Sequence, residues 1–166
     1  SCVTFAPPPL HAHANDYNLF DDFDLRPHGD PAVGCEKIKA FLLNVICDGR
    51  EDVFNWLWLW LAHAVQLPGE KPGTALVIQG KGGSGKSTLG DLIGDMLGSF
   101  AIHASNPDHV TGRFNKHQAT ALMLISDEAL YGGDPRVSSI IKDMVTSPTQ
   151  RIEPKGIDSF EVRSCL

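Results

Sequence analysis

Apolar side chains recur at helical spacing in two segments of the first half of the chain. The first helix is predicted to begin at Asp30-Pro31, an N-cap acceptor followed by a proline suited to the first helical position, and to end at Gly49. Its apolar face carries Ile38, Phe41, Leu42, Val45 and Ile46. A second helix is predicted over residues 51–66, and its centre, residues 56–61, is apolar on all sides. We expect that centre and its tryptophans to be buried, although the alternation of Trp and Leu also fits a strand.

A strand, a glycine-rich loop and a helix are predicted next, in that order. Residues 74–79 form a short apolar run bounded by Pro72-Gly73 and Gly80, which is typical of a buried strand. After the loop, apolar positions return at helical spacing up to a C-terminal cap at Gly98. These positions are Leu89, Leu92, Ile93, Met96 and Leu97.

The rest of the chain alternates between predicted strands and helices. Strands are predicted at residues 100–103 and 119–126, and a helix with one apolar face is predicted to end at Ser147-Pro148. Residues 151–157 are typical of a hairpin. The tip of that hairpin carries Pro154, Lys155 and Gly156.

The loop between the first strand and its helix fits the phosphate-binding pattern G-x-x-x-x-G-K-[ST]. Glycines let backbone N–H groups turn inward around a phosphate, Lys86 is expected to reach the β- and γ-phosphates, and the Ser87 hydroxyl is expected to ligate Mg²⁺. The candidate nucleotide-binding residues are Gly80, Lys81, Gly82, Gly83, Ser84, Gly85, Lys86, Ser87 and Thr88. A flexible glycine loop is the alternative. The motif and its flanks predict an α/β P-loop NTPase with a central, mostly parallel sheet, preceded by a small helical layer.

Adjacent carboxylates follow the apolar run at residues 119–126. Asp127 would hold Mg²⁺, directly or through water, and Glu128 would orient and activate the water that attacks the γ-phosphate. On its own this pattern often marks only a strand end and a helix cap. Its position after the phosphate loop, in a region of alternating strands and helices, favours the catalytic interpretation, with Lys86, Asp127 and Glu128 as catalytic residues.

The composition limits the class of partner. The chain has 166 residues, 42% of them hydrophobic, and a net charge of −6, so contact with nucleic acid requires a local basic patch. No apolar run approaches the roughly 20 residues needed to span a bilayer. Four scattered cysteines without a C-x-x-C pair fit a reduced, cytoplasmic protein. Because the first residue is Ser1 and the last strand pattern stops abruptly, we expect a segment cut at both ends of a longer protein.

Three parts are predicted along the chain: an irregular lead-in over residues 1–29, a helical layer over residues 30–70, and an ATPase core over residues 71–166. In the lead-in, Leu19, Phe20 and Phe23 are candidates for docking on the body. At the hairpin tip, Lys155 can contact a phosphate or be an ordinary turn lysine, and the residues alone favour neither interpretation.

The motif set resembles the superfamily 3 helicases, and more closely the helicase domain of phage and plasmid primase–helicases. The resemblance covers roughly residues 17–166 and is strongest at the phosphate loop. It also includes residues 17–23, 55–56, 68–72, 111–115, 126–129 and 152–157.

The resemblance implies an ATP-driven motor that moves on single-stranded DNA, usually as a homo-hexamer, in the cytoplasm of a bacterial host cell. It implies that Lys155, on the hairpin, touches DNA near the central channel. Lys142 and Arg113 are weaker candidates for contacts across that channel or the subunit interface. It also implies an upstream primase or polymerase domain. The family's polar sensor and arginine finger would lie past Leu166, so we expect the chain to bind Mg²⁺ and ATP but to hydrolyse ATP poorly.

Two alternatives remain open at this stage. A small-molecule or nucleotide kinase uses the same phosphate loop, but it would transfer the γ-phosphate to an acceptor rather than to water. A non-catalytic module would bind DNA in a nucleotide-dependent way without turnover.

Overall fold

Helices dominate residues 36–100, and most of the paired strands lie after them, from residue 101 onward. The computed structural model describes residues 2–26, 29, 34–106, 108–112, 115–126 and 135–166. The α-helices are α1 (Glu36–Phe41), α2 (Glu51–Gln66), α3 (Lys86–Leu97), α4 (Asp108–Thr111) and α5 (Pro135–Thr146). The strands are β1 (Val3–Thr4), β2 (Tyr17–Asn18), β3 (Ala101–Ala104), β4 (Met123–Ser126), β5 (Thr149–Ile152) and β6 (Phe160–Arg163).

Helix α1 continues as a π-helical turn over Leu42–Ile46, which we call the π turn. There the Cys47 N–H donates to the carbonyl of Leu42 at 2.9 Å, an i→i+5 bond. The predicted start of this helix at Asp30-Pro31 lies outside the described residues. The helix nevertheless begins later than predicted, because Gly34, with φ of 109°, precedes it in a non-helical conformation. Helix α2 has the predicted bounds. The negative charges of Glu51 and Asp52 in its first turn interact favourably with the positive end of the helix dipole.

Only one face of α2 is buried, so the expectation of a helix buried on all sides is wrong. Leu57 and Trp60 are buried, and Trp58 is half-buried, stacked on Phe54. Trp56 and Leu59 instead remain 48% and 69% exposed. The helix packs on the rest of the molecule along one side, and an apolar sequence does not supply a second packing partner.

Two glycines let α3 lie close to the strands beneath it. A Cβ at Gly90 would come within 3.0 Å of Ile125 Cγ2, and one at Gly94 within 2.2 Å of His103 Nε2. A glycine inside a helix costs about 1 kcal/mol relative to alanine, so these positions trade helix propensity for close packing. Leu89, Ile93 and Leu97 complete this face and join the buried cluster that Leu42 and Leu57 form.

The mixed α/β architecture is as predicted, but the sheets are small. Within the described residues each sheet has two strands: β1 with β2 and β3 with β4 in parallel, and β5 with β6 in antiparallel. The expected central sheet is therefore not seen in this part of the chain. Residues 74–79 are not assigned as a strand, although Leu76 and Ile78 pack on the core while Val77 is 66% exposed. Strand β4 is also shorter than predicted, because Lys116–Thr120 form a 3₁₀ turn.

The lead-in packs on the body through aromatic rings. Phe5, Phe20 and Phe23 surround Phe100, with ring centroids 5.0–6.2 Å from it. Docking by Phe20 and Phe23 is thus as expected, whereas Leu19 is 43% exposed. No helix in the described ranges combines the length and apolar character needed to cross a membrane.

Gly69→Ala is expected to lower stability by about 1–3 kcal/mol, because it overpacks the contact between the lead-in and the end of α2. Gly69 donates its N–H to the Pro8 carbonyl at 2.7 Å, and an added Cβ would lie 2.4 Å from the Pro7 oxygen and 2.8 Å from Leu10 Cγ. Thermal unfolding followed by circular dichroism should show a midpoint about 2–12 °C lower.

Gly82→Ala is the matched control, because nothing lies within 4 Å of its added Cβ. Equal melting temperatures for the two variants would contradict the close contact at Gly69.

Candidate nucleotide site

The glycine loop of residues 80–85 leads directly into α3. Gly85 precedes the helix in a left-handed conformation, with φ of 81°, and Gly83 has φ of 75°. Both values are readily adopted only by glycine, which explains why glycines occur at these two places. The first turn of α3 therefore begins at Lys86, with its backbone donors and its positive dipole end at the loop.

Several donors of this loop are available to an anion. In the part of the chain that the structure describes, the N–H groups of Gly82, Gly83 and Gly85 have no hydrogen-bond partner. Lys86 Nζ donates to the carbonyls of Gly80 and Lys81, both at 2.9 Å. The ammonium group therefore lies at the loop itself, where a phosphate would replace carbonyl oxygens as its partner. Chemically, the arrangement offers a positive charge and backbone donors to an oxyanion.

The helical layer contacts the loop directly, which the sequence analysis did not predict. A Cβ on Gly85 would lie 2.9 Å from Phe41 Cε2 and 3.5 Å from Val45 Cγ1. Phe41 ends α1 and Val45 lies in the π turn, so this irregular turn brings the first helix against the phosphate loop. Glycine at position 85 is thus required by space as well as by its φ.

A magnesium ion fits the donors present at this loop. Ser87 and Thr88 lie exposed in the first turn of α3, so hydroxyl oxygens are accessible beside the predicted phosphate position. Among the described residues no group of three or more His, Cys, Asp or Glu side chains could hold a metal. A hydroxyl and the phosphate oxygens of a bound nucleotide are oxygen donors of the kind that suits Mg²⁺.

The predicted carboxylates follow the parallel pair of strands. Ser126 ends β4 opposite Ala104, which ends β3, so both strands finish at the same edge. Asp127, Glu128 and the weaker candidate Arg113 lie outside the described residues, and their roles stay predictions.

The hairpin of β5 and β6 carries a mixed charge. Lys155 is exposed in the loop of residues 153–159, and Lys142 is exposed on α5. In the described ranges neither lysine side chain forms a hydrogen bond or an ion pair. Over residues 149–163 three basic side chains balance three acidic ones: Arg151, Lys155 and Arg163 against Glu153, Asp158 and Glu161. The hairpin therefore has no net positive charge, and a DNA contact there would depend on Lys155 itself.

Lys71 joins the segment before the phosphate loop to the end of α5. Its Nζ donates to the carbonyls of Met144 at 2.6 Å and Ser147 at 2.8 Å. Burial lowers the pKa of Lys71, and burial raises the pKa of the neighbouring Cys165 thiol. The lysine caps carbonyls at a helix C-terminus, where a cation is favoured.

Solved structures of the C-terminal region of NrS-1, in apo form, share this fold. One apo structure of residues 305–718 has a TM-score of 0.77 and 21% identity, covering 98% of this chain and 40% of that chain. An A form apo structure has a TM-score of 0.72 and 24% identity, covering 90% of this chain and 36% of that chain. At these identities the likeness concerns the fold alone, and this chain spans two fifths or less of the NrS-1 chains.

At the level of sequence, no curated protein matches the chain. The model of DUF5906, described as a family of unknown function, matches residues 78–166, a range that contains the whole phosphate loop, the parallel strand pair and the hairpin. Since this range is more than half of the 166 residues, the chain belongs to the DUF5906 family.

Proposed function

We propose that this chain is the nucleotide-binding part of an ATP-driven, single-stranded-DNA translocase of the helicase type. The phosphate loop carries the proposal: glycines with left-handed backbone, N–H groups available to an anion, and the Lys86 ammonium at the loop's own carbonyls. The reaction is hydrolysis of ATP to ADP and phosphate. The likeness in fold to the C-terminal region of NrS-1 is compatible with this function without testing it.

Each candidate residue has a role that follows from its position. The N–H groups of Gly82, Gly83 and Gly85 and the Lys86 ammonium bind and orient the phosphates. Ser87 supplies a hydroxyl to Mg²⁺. When bound, Mg²⁺ neutralises phosphate charge. Asp127 helps to hold the ion, and Glu128 takes a proton from the attacking water.

Single-stranded DNA is the proposed polymer partner, and Lys155 its contact at the hairpin tip. The exposed ammonium of Lys155 has no intramolecular partner in the described part of the chain, so it is available to a backbone phosphate. Lys142 on α5 is a second candidate. Assembly into a hexamer, as in the superfamily 3 helicases, belongs to the same proposal.

The decisive experiment measures release of labelled phosphate from γ-labelled ATP with and without oligo(dT). We expect slow turnover that requires Mg²⁺ and rises several-fold with the oligonucleotide, with the label recovered as inorganic phosphate. Label transferred to an added hydroxyl acceptor would favour a kinase. Turnover that ignores DNA, or nucleotide-dependent DNA binding without any turnover, would overturn the translocase proposal.

A further inference from the structure

An asparagine from a distant segment holds the edge of the hairpin that carries Lys155. Asn115 donates from Nδ2 to the Arg151 carbonyl at 2.9 Å, and its Oδ1 accepts the Glu153 N–H at 2.8 Å. A neighbouring strand would satisfy the same two backbone groups. The side-chain amide of Asn115 therefore takes the place of a further strand beside β5.

The contacted edge is the one that β6 leaves open. The Ser164 N–H donates to the Pro148 carbonyl at 3.0 Å, so the backbone of residue 148 faces β6. Because backbone groups alternate in direction along a strand, residues 150 and 152 face β6 as well. Arg151 and Glu153 then face away from it, towards Asn115. Strand β5 is thus held on both sides, by β6 and by Asn115.

A second amide reinforces the first. Gln118 is 3% exposed and donates from Nε2 to the Val110 carbonyl at 3.2 Å. Its Oε1 accepts a hydrogen bond from Nε2 of Gln150. Its own N–H donates to the Asn115 carbonyl at 2.8 Å, so one 3₁₀ turn sets both side chains. A buried amide that loses its partner is left with an unsatisfied polar group, and this penalty keeps the arrangement in place.

We infer that Asn115 is the positioning residue of the hairpin and determines where Lys155 is presented to a DNA strand. Its contact at Glu153 lies two residues before Lys155, where β5 ends and the hairpin loop begins. The turn that carries Asn115 also continues into β4, which ends next to the predicted Asp127 and Glu128. The hairpin is therefore fastened to the segment that precedes the proposed catalytic carboxylates. This inference rests on the DNA role proposed for Lys155.

The structural half of the test is hydrogen exchange of the Glu153 amide, followed by NMR. Asn115→Ala removes its acceptor, and we expect exchange about 3- to 10-fold faster at Glu153, in line with the loss of one hydrogen bond. Asn55→Ala, at an exposed position on α2, is the matched control and should leave this amide unchanged.

The functional half compares affinities for fluorescent oligo(dT) and for Mg·ATP in the same variants. We expect Asn115→Ala and Lys155→Ala to weaken oligo(dT) binding by a similar factor, about 3- to 10-fold, as for one phosphate contact. Mg·ATP affinity should stay at the wild-type value in both. A general loss of folding would lower both affinities, so the separation between DNA and nucleotide identifies a positioning role.

Three results would overturn the inference. Unchanged exchange at Glu153 would mean that Asn115 does not hold the hairpin. Faster exchange with wild-type DNA affinity, in a protein where Lys155→Ala does weaken DNA binding, would mean that the hairpin position is irrelevant to DNA. Wild-type DNA affinity of Lys155→Ala itself would remove the proposed DNA contact, a failure of the proposed function that the exchange measurement separates from the role of Asn115.

Discussion

Lys86→Ala weakens Mg·ATP binding by about 10- to 150-fold in isothermal titration calorimetry, if the loop at residues 80–87 holds phosphate. That factor corresponds to the loss of a charged hydrogen bond, about 1.5–3 kcal/mol. In the structure the ammonium donates to two loop carbonyls and lies 3.3 Å from Ser84 Oγ, so the side chain already lies where the phosphates are expected. Alanine removes this charge without adding bulk.

Lys37→Ala is the control for this measurement, because it removes the same charge from an exposed position on α1. Its affinity for Mg·ATP should equal that of the wild type. An affinity of Lys86→Ala within twofold of the wild type would reject the loop as the phosphate site.

Glu128→Gln is expected to lower ATP turnover by about 10²- to 10⁴-fold, the range typical for loss of a general base. Glutamine keeps the size of the side chain but cannot take the proton of the attacking water. Mg·ATP affinity should change little, since the phosphates are bound by the loop rather than by Glu128. The assay is phosphate release from γ-labelled ATP, and its rate in the Glu128→Gln variant should fall to the background rate.

Glu70→Gln makes the same chemical change at an exposed residue after α2 and should retain full turnover. If Glu128→Gln turned over ATP at the wild-type rate, the carboxylates after β4 would have to be assigned as a strand end and a helix cap instead.

The helices are the part of the fold that the sequence predicts best. The bounds of α2 and the ends of α3 and α5 agree with the apolar periodicity and the Gly and Pro signals. Exposure follows less well, as Trp56 and Leu59 show, because periodicity identifies apolar positions and not the number of packing partners. A hairpin is also present around the predicted tip, but it extends over residues 149–163 instead of 151–157 and has a longer loop.

The strands are harder to predict, because a strand forms only where a distant segment of the chain pairs with it. Residues 74–79 have the burial alternation of a strand without a paired neighbour in the described ranges, and residues 116–120 turn in a 3₁₀ conformation instead of extending β4. Local propensity does not determine either outcome, since strand formation requires a partner at the right distance.

The candidate site is predictable only where the chemistry is local. The phosphate loop follows from its own residues, whereas the contact of Phe41 with Gly85 and that of Asn115 with β5 join distant segments. A glycine flanked by ordinary helices, or a lone asparagine in a polar stretch, carries no sequence signal for such contacts. Residues 111–115 are part of the resemblance, but that resemblance does not predict the two hydrogen bonds that Asn115 forms beside β5.

The fastening of Lys71 to the last turn of α5 has a consequence for cooperativity. Opening the C-terminal turn of α5 would leave the partly buried Lys71 ammonium without its acceptors. Moving Lys71 away would likewise leave the Met144 and Ser147 carbonyls without their donor. Because either event breaks the same hydrogen bonds, the segment before the phosphate loop and helix α5 should open together as one unit. Segments 73 residues apart in the chain are thereby joined in a single stability domain.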